Sequence, residues 1–126
     1  WDKIPSGQTV TGTARWDLES PAATGDFQFS VSLPGVAPVA LADGTINMAA
    51  DGSANTTDDD PACTGTSTAP TAPAGKVCVY LRTSLNATNI RGFATNALTD
   101  HAFRIVWATS AAGDMYVDVS WAYTAP

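Results

Sequence analysis

The chain predicts an all-β domain, an antiparallel β-sandwich or jelly roll, on three observations. Apolar and hydroxyl-bearing residues alternate with a period of two along several short segments. Clusters rich in Gly, Pro, Asp and Ser punctuate those segments. No segment carries a helical repeat, because the Ala-rich patches at 20–24 and 110–113 are too short and too interrupted. Roughly seven to nine short strands with such punctuation is the pattern of two facing sheets.

Taken in order, Val10, Gly12, Ala14, Trp16 and Leu18 alternate with Thr11, Thr13, Arg15 and Asp17 as a half-buried strand. Phe27, Phe29, Val31 and Leu33 alternate with Gln28, Ser30 and Ser32, the cleanest strand signal in the chain. Pro21 and Gly25 lie between these two and predict a hairpin with a long turn. The segment LPGVAPVALADG reads as a connection with a short strand from Val39 to Leu41. Ile46 and Met48 mark another strand. Val77, Val79 and Leu81 mark the next, with Cys78, Tyr80 and Arg82 on its other face. A weaker segment runs over 88–95. Phe103, Ile105 and Trp107 form a strand with Arg104 opposite. Met115, Val117, Val119, Trp121 and Tyr123 form the last, with Asp118 and Ser120 opposite. AAGD at 111–114 predicts a hairpin loop between those two. A terminal strand this apolar is expected at the centre of a sheet. No internal repeat is visible, which argues against a solenoid or propeller.

At 126 residues the chain fits one domain, 1–126, with 1–7 as a linker or N-terminal arm, and it is long enough to bury a core. It opens WDKIPSG, without a signal peptide, and reads as a mature domain or a fragment of a longer chain. The net charge of −6 lacks the basic footprint that nucleic acid demands and disfavours anionic membrane surfaces. No apolar run approaches the ~20 residues of a membrane span. Charged residues are 14% of the chain, well under the usual ~25%. Thr, Ala, Ser and Gly take their place, as in extracellular β proteins.

The only two cysteines, Cys63 and Cys78, bracket one Thr/Ala/Pro/Gly loop. Their spacing suits a disulfide that staples the loop to the following strand, worth ~3 kcal/mol in the chain-entropy model. A buried pair of free thiols is the other reading. The connection 49–75 that contains this loop has no strand period. Loops beyond ~12–15 residues are uncommon unless functional, so this one is a candidate recognition surface.

Little else could carry chemistry. His101 is the single histidine; with no nucleophile motif such as GxSxG it reads as a surface-turn residue. One His with two Cys cannot complete a usual zinc site. Paired carboxylates for glycoside hydrolysis are conceivable, but the acids are mostly turn aspartates. Asp58, Asp59 and Asp60 are adjacent like charges, relieved either by solvation or by a calcium ion; their spacing does not match an EF-hand. Trp16, Trp107 and Trp121 lie on apolar strand faces and read as core, whereas an exposed pair would suit sugar stacking. Trp1, beside Ile4 and Pro5, would pack on the body or on a neighbouring subunit. Asn55 and Asn86 begin N-x-T triplets that matter only in a eukaryotic secretory setting.

The pieces IPSGQTVTG, DDDPACTG, APAGKVCVY and SWAYTAP resemble a family of bacterial secreted or surface domains. These are carboxy-terminal globular heads that follow repetitive or collagen-like stretches, with an architecture that resembles the trimeric C1q/TNF-like jelly roll. The resemblance covers nearly the whole chain, and phage tail-fibre tips share the architecture. It implies a homotrimer packed about a three-fold axis, with Tyr80, Tyr116 and Tyr123 as axis candidates. Tyr80 and Tyr116 sit opposite the core-facing set of their strands; Tyr123 shares the core parity. The implied function is a non-enzymatic head on an extracellular, cell-surface or virion-fibre protein, presenting loops for adhesion to a glycan or cell-surface receptor. The alternative is a monomeric carbohydrate-binding module of a secreted hydrolase. Calcium at the aspartates is the one cofactor under consideration.

Overall fold

Alternating side chains become a buried and an outward face only once strands pair, and the pairing is visible in the structure, a computed structural model that describes residues 2–51 and 53–126. Trp1 and its expected packing lie outside the described residues. Seven strands form: β1 (Thr9–Ser20), β2 (Asp26–Ser32), β3 (Ile46–Met48), β4 (Val77–Leu85), β5 (Ala87–Ala94), β6 (Ala102–Thr109) and β7 (Gly113–Thr124). A 3-10 turn, Asp43–Thr45, precedes β3. One sheet has the order β1-β7-β4-β3 and the other β2-β6-β5. Every pairing is antiparallel except β3 with β4. The sheets pack face to face as a β-sandwich. Among the described residues no helix is long and apolar enough to cross a membrane.

The most apolar strand, β7, is central in its sheet, between β1 and β4, as its composition predicts. Its inward residues Met115, Val117, Val119, Trp121 and Tyr123 are buried, as are Phe103, Ile105 and Trp107 of the opposing central strand β6. Phe103 meets Trp121 edge-on at 5.4 Å, and Trp107 packs between Phe27 and Phe29 of β2. Burying side chains of this size stabilises the fold by about 1.5–3 kcal/mol each, so this layer is its energetic centre.

Three expected connections differ. The segments 21–25 and 110–112 are not hairpin turns: each carries the chain from one sheet to the other, β1 to β2 and β6 to β7. Turn residues specify a reversal of direction, not the sheet that the next strand joins. The short strand expected from Val39 to Leu41 is absent. Pro34 and Pro38 remove donors from that stretch, Val39 is 62% exposed, and the Leu41 amide donates to the Thr99 carbonyl outside any strand. The weak segment at 88–95 is β5, with a bulge between Thr88 and Arg91. A bulge shifts parity by one residue, which is why its period was faint.

Candidate binding face

The disulfide forms: Cys63 and Cys78 are bonded, with Cα atoms 5.5 Å apart. It pins the 49–75 connection over the outward face of β4. Tyr80, next but one along that face, donates its hydroxyl proton to the Thr71 carbonyl at 2.7 Å and accepts from the Gly65 amide at 2.9 Å. The Thr124 hydroxyl donates to the Ala72 carbonyl. Cys63, Cys78, Tyr80 and Ala49 make a small second core beneath the loop. The long connection therefore covers the part of the outer surface of its sheet around Cys78, Tyr80 and Thr124. At its border with β1 a groove of ≈ 320 Å³ is lined by hydroxyls of Thr11, Thr13, Thr68 and Ser120, with Arg82 at its side and, among the described residues, no aromatic ring.

The three aspartates do not converge. The Asp58 carboxylate turns in between the two edge strands on its side of the sandwich. One oxygen accepts from the Met48 amide of β3 at 3.3 Å and the other from the Gly92 amide of β5 at 3.2 Å. Desolvation there pushes it up to about 6 despite those two donors. Asp60 pairs with Lys76, which, with help from the Ala62 amide, holds its carboxyl below the ordinary range. Asp59 is exposed. The three carboxylates expected to share a calcium ion point to three separate environments. Among the described residues no group of three or more His, Cys, Asp or Glu side chains is arranged to hold a metal ion.

Of the axis candidates, Tyr80 is buried under the loop and Tyr123 is in the core, where burial pushes its phenol up. Tyr116 is half-buried on the open part of the outer face, under the Arg15 guanidinium at 4.5 Å. Trp107 and Trp121 are core residues as read; Trp16 is 41% exposed and stacks on Phe29 at 6.1 Å. His101 leads into β6, paired with its neighbour Asp100, and its carbonyl accepts from the Leu33 amide. Asn86 is the corner between β4 and β5, at φ 53°, and its side-chain amide donates to the Asp114 carbonyl.

The other sheet has no such cover. On its outer face Asp26 and Gln28 of β2, Arg104 and Val106 of β6, and Arg91 and Phe93 of β5 line a hollow of ≈ 310 Å³. Its floor is built, not loose. The Arg104 Nε donates to the Ala94 carbonyl and its Nη1 to Gln28 Oε1, both at 2.9 Å. The Arg91 Nη1 donates to the Asn89 carbonyl at 2.7 Å. Both guanidinia lie over the Phe93 ring, 5.3 and 5.4 Å from its centroid. Sequence reasoning placed Arg104 on the face opposite the core but left this group unassembled. The available signal was outward parity in three strands; the bulge in β5 hid it for Arg91 and Phe93.

Comparison with known proteins finds no matching family model, no matching curated protein and no matching solved structure.

Proposed function

We propose that this chain is a non-enzymatic recognition domain of an extracellular or cell-surface protein, and that it binds a glycan on the outer face of the β2-β6-β5 sheet. The observation that carries the reading is the hollow itself, where Phe93 and Val106 lie beside two fixed guanidinia, an amide and a carboxylate. Carbohydrate recognition asks for that combination: ring C–H faces lie on apolar or π surface while hydroxyls meet charged and amide side chains. The disulfide fits an oxidising compartment. The rigid sandwich beneath holds the face in place, as binding surfaces require.

Glycan-array binding followed by titration of the best hit tests the reading. Phe93→Ala should weaken binding at least about tenfold, as loss of a stacking surface does, while leaving the fold intact. Binding unchanged by Phe93→Ala, or no binding to any glycan, would reject it.

The trimeric head is the second reading, favoured by one observation: Leu85, 39% exposed, lies opposite Tyr116 on the uncovered part of the four-stranded sheet. That spot is small against the ~800 Å² per partner of a stable interface, and it is ringed by Arg15, Asp17 and Asp118. Light scattering decides between the readings: a stable trimer would put the head first, a monomer the glycan module.

A further inference from the structure

We propose that the ligand of this face is an acidic sugar, its anionic group held between Arg91 and Arg104. This rests on the recognition reading above and specifies its ligand class. The chain carries a net charge of −6 and only six Lys and Arg residues. Arg15 and Lys76 are ion-paired with Asp17, Asp118 and Asp60. Among the described residues Lys3, Arg82, Arg91 and Arg104 have no carboxylate within ion-pair distance; of these, Arg91 and Arg104 line one hollow together, although Arg91 also feels the Asp58 charge. Both guanidinia sit over one phenyl ring, within 5.4 Å of its centroid. Two positive groups on one ring make a local excess of positive charge, which an anion reaching both would offset.

The arginines are also prepared for such a ligand. Each is held by a backbone carbonyl, Ala94 for Arg104 and Asn89 for Arg91. A guanidinium has five N–H donors in a planar fork that matches carboxylate and sulfate oxygens. The bonds to Ala94, Gln28 and Asn89 leave donors on both forks without a protein acceptor.

Asp26 and the apolar residues of the hollow together favour an acidic sugar over an acidic peptide. Asp26 is the one carboxylate lining the hollow, and it can only accept hydrogen bonds at neutral pH. A ligand that satisfies the whole face must carry an anion for the arginines and O–H donors for Asp26. A uronic or sulfated sugar has both on one ring, and its C–H face suits Phe93 and Val106. An Asp-rich peptide brings anions and backbone N–H donors but no C–H ring face for Phe93 and Val106.

Titration calorimetry on the intact chain tests this with trigalacturonic acid, its methyl ester and an oligo-aspartate peptide. The acid should bind at least about tenfold tighter than the ester, and added salt should narrow the gap. Arg91→Gln should remove most of the difference, Arg104→Lys should remove part of it, and Asp26→Asn should weaken the acid and the ester alike, by taking a charged acceptor from their O–H groups. An unchanged melting temperature in Arg91→Gln shows that the fold persists. A sulfated disaccharide run beside the uronate identifies which anion is preferred. Equal binding of acid and ester overturns the charge inference and leaves the glycan reading standing. An oligo-aspartate that binds as tightly as the uronate overturns the sugar. No binding by any of the sugars removes both readings together.

Discussion

The two long sides of the sandwich are closed by different chemistry. On the side where β3 faces β5, the backbones come so close that Gly92 is required: a Cβ there would stand 2.5 Å from the Ile46 methyl and 3.0 Å from its carbonyl oxygen. Asp58 bridges the two strand edges through their amides. The edge of β5 is also covered, since the Thr57 amide donates to the Ile90 carbonyl and the Ile90 amide to Asn55. On the side of β1 and β2, no side-chain hydrogen bond among the described residues spans the gap. Trp16 of β1 stacks on Phe29 of β2, and 41% of the Trp16 surface stays in water. The covered side manages the edge-strand hazard by hydrogen bonding. The open side relies on charge along β1, where Arg15, Asp17 and Glu19 discourage pairing with another chain. One side is specified by backbone proximity and polar contacts, the other by apolar area.

The comparison can be broken most forcefully at the disulfide, because the loop it pins also supplies Asp58 and Thr57 to the covered side. The Cys63–Cys78 link closes a loop of sequence separation 15, and its reduction should lower stability by about 3 kcal/mol, read as a fall in the denaturant midpoint. A midpoint indifferent to reductant would mean that the loop contributes nothing to that side. Gly92→Ala should come next, with a loss of about 2–3 kcal/mol, since overpacking a tight contact costs that much. Trp16→Ala should lose less, about 1–2 kcal/mol, because a ring partly in water forfeits only part of the cost of deleting a buried one. If Trp16→Ala costs more than Gly92→Ala, the assignment of the two sides is reversed.

The smallest effect is the pH dependence, which sharpens the contrast because only the covered side titrates through its bridge. Asp58 has an ordinary value of 3.8 and a folded value of about 6, so the folded chain takes up the proton first. Its contribution is fully present below about 3.8 and is lost as pH rises through about 6. Asp60, held below its ordinary value by Lys76, acts oppositely: its contribution is present above 3.8 and lost as pH falls through its folded value. Melting temperature should therefore rise modestly as pH drops from 7 to 5. Asp58→Asn should flatten that rise, and a rise that persists in Asp58→Asn would assign it to another group.

Much of this was legible before any coordinates. The inward faces of β1, β2, β6 and β7 follow from parity alone, and the burial of Trp107 and Trp121 with it. The Cys63–Cys78 bond was readable from two cysteines around one loop. Tyr80 shows where parity stops: it does lie opposite the core, but a second layer of chain covers it, and parity cannot see a layer built from residues without a period. The aspartates show the same limit. Adjacent in the chain, they part because left-handed Asp58, at φ 56°, turns its carboxylate toward two strand edges while Asp60 meets Lys76.

By itself the sequence determined where the strongly alternating strands run, which side of each is greasy, and that two cysteines bracket one loop. These are local properties, decided by the two-residue repeat and by residues close along the chain. Only the tertiary structure decided which sheet each strand joins, and so only it could bring Asp26, Arg91, Phe93 and Arg104 onto one face. Pairing and register are contacts between distant segments, and their free energy depends on the partner strand as much as on the residues that carry the pattern.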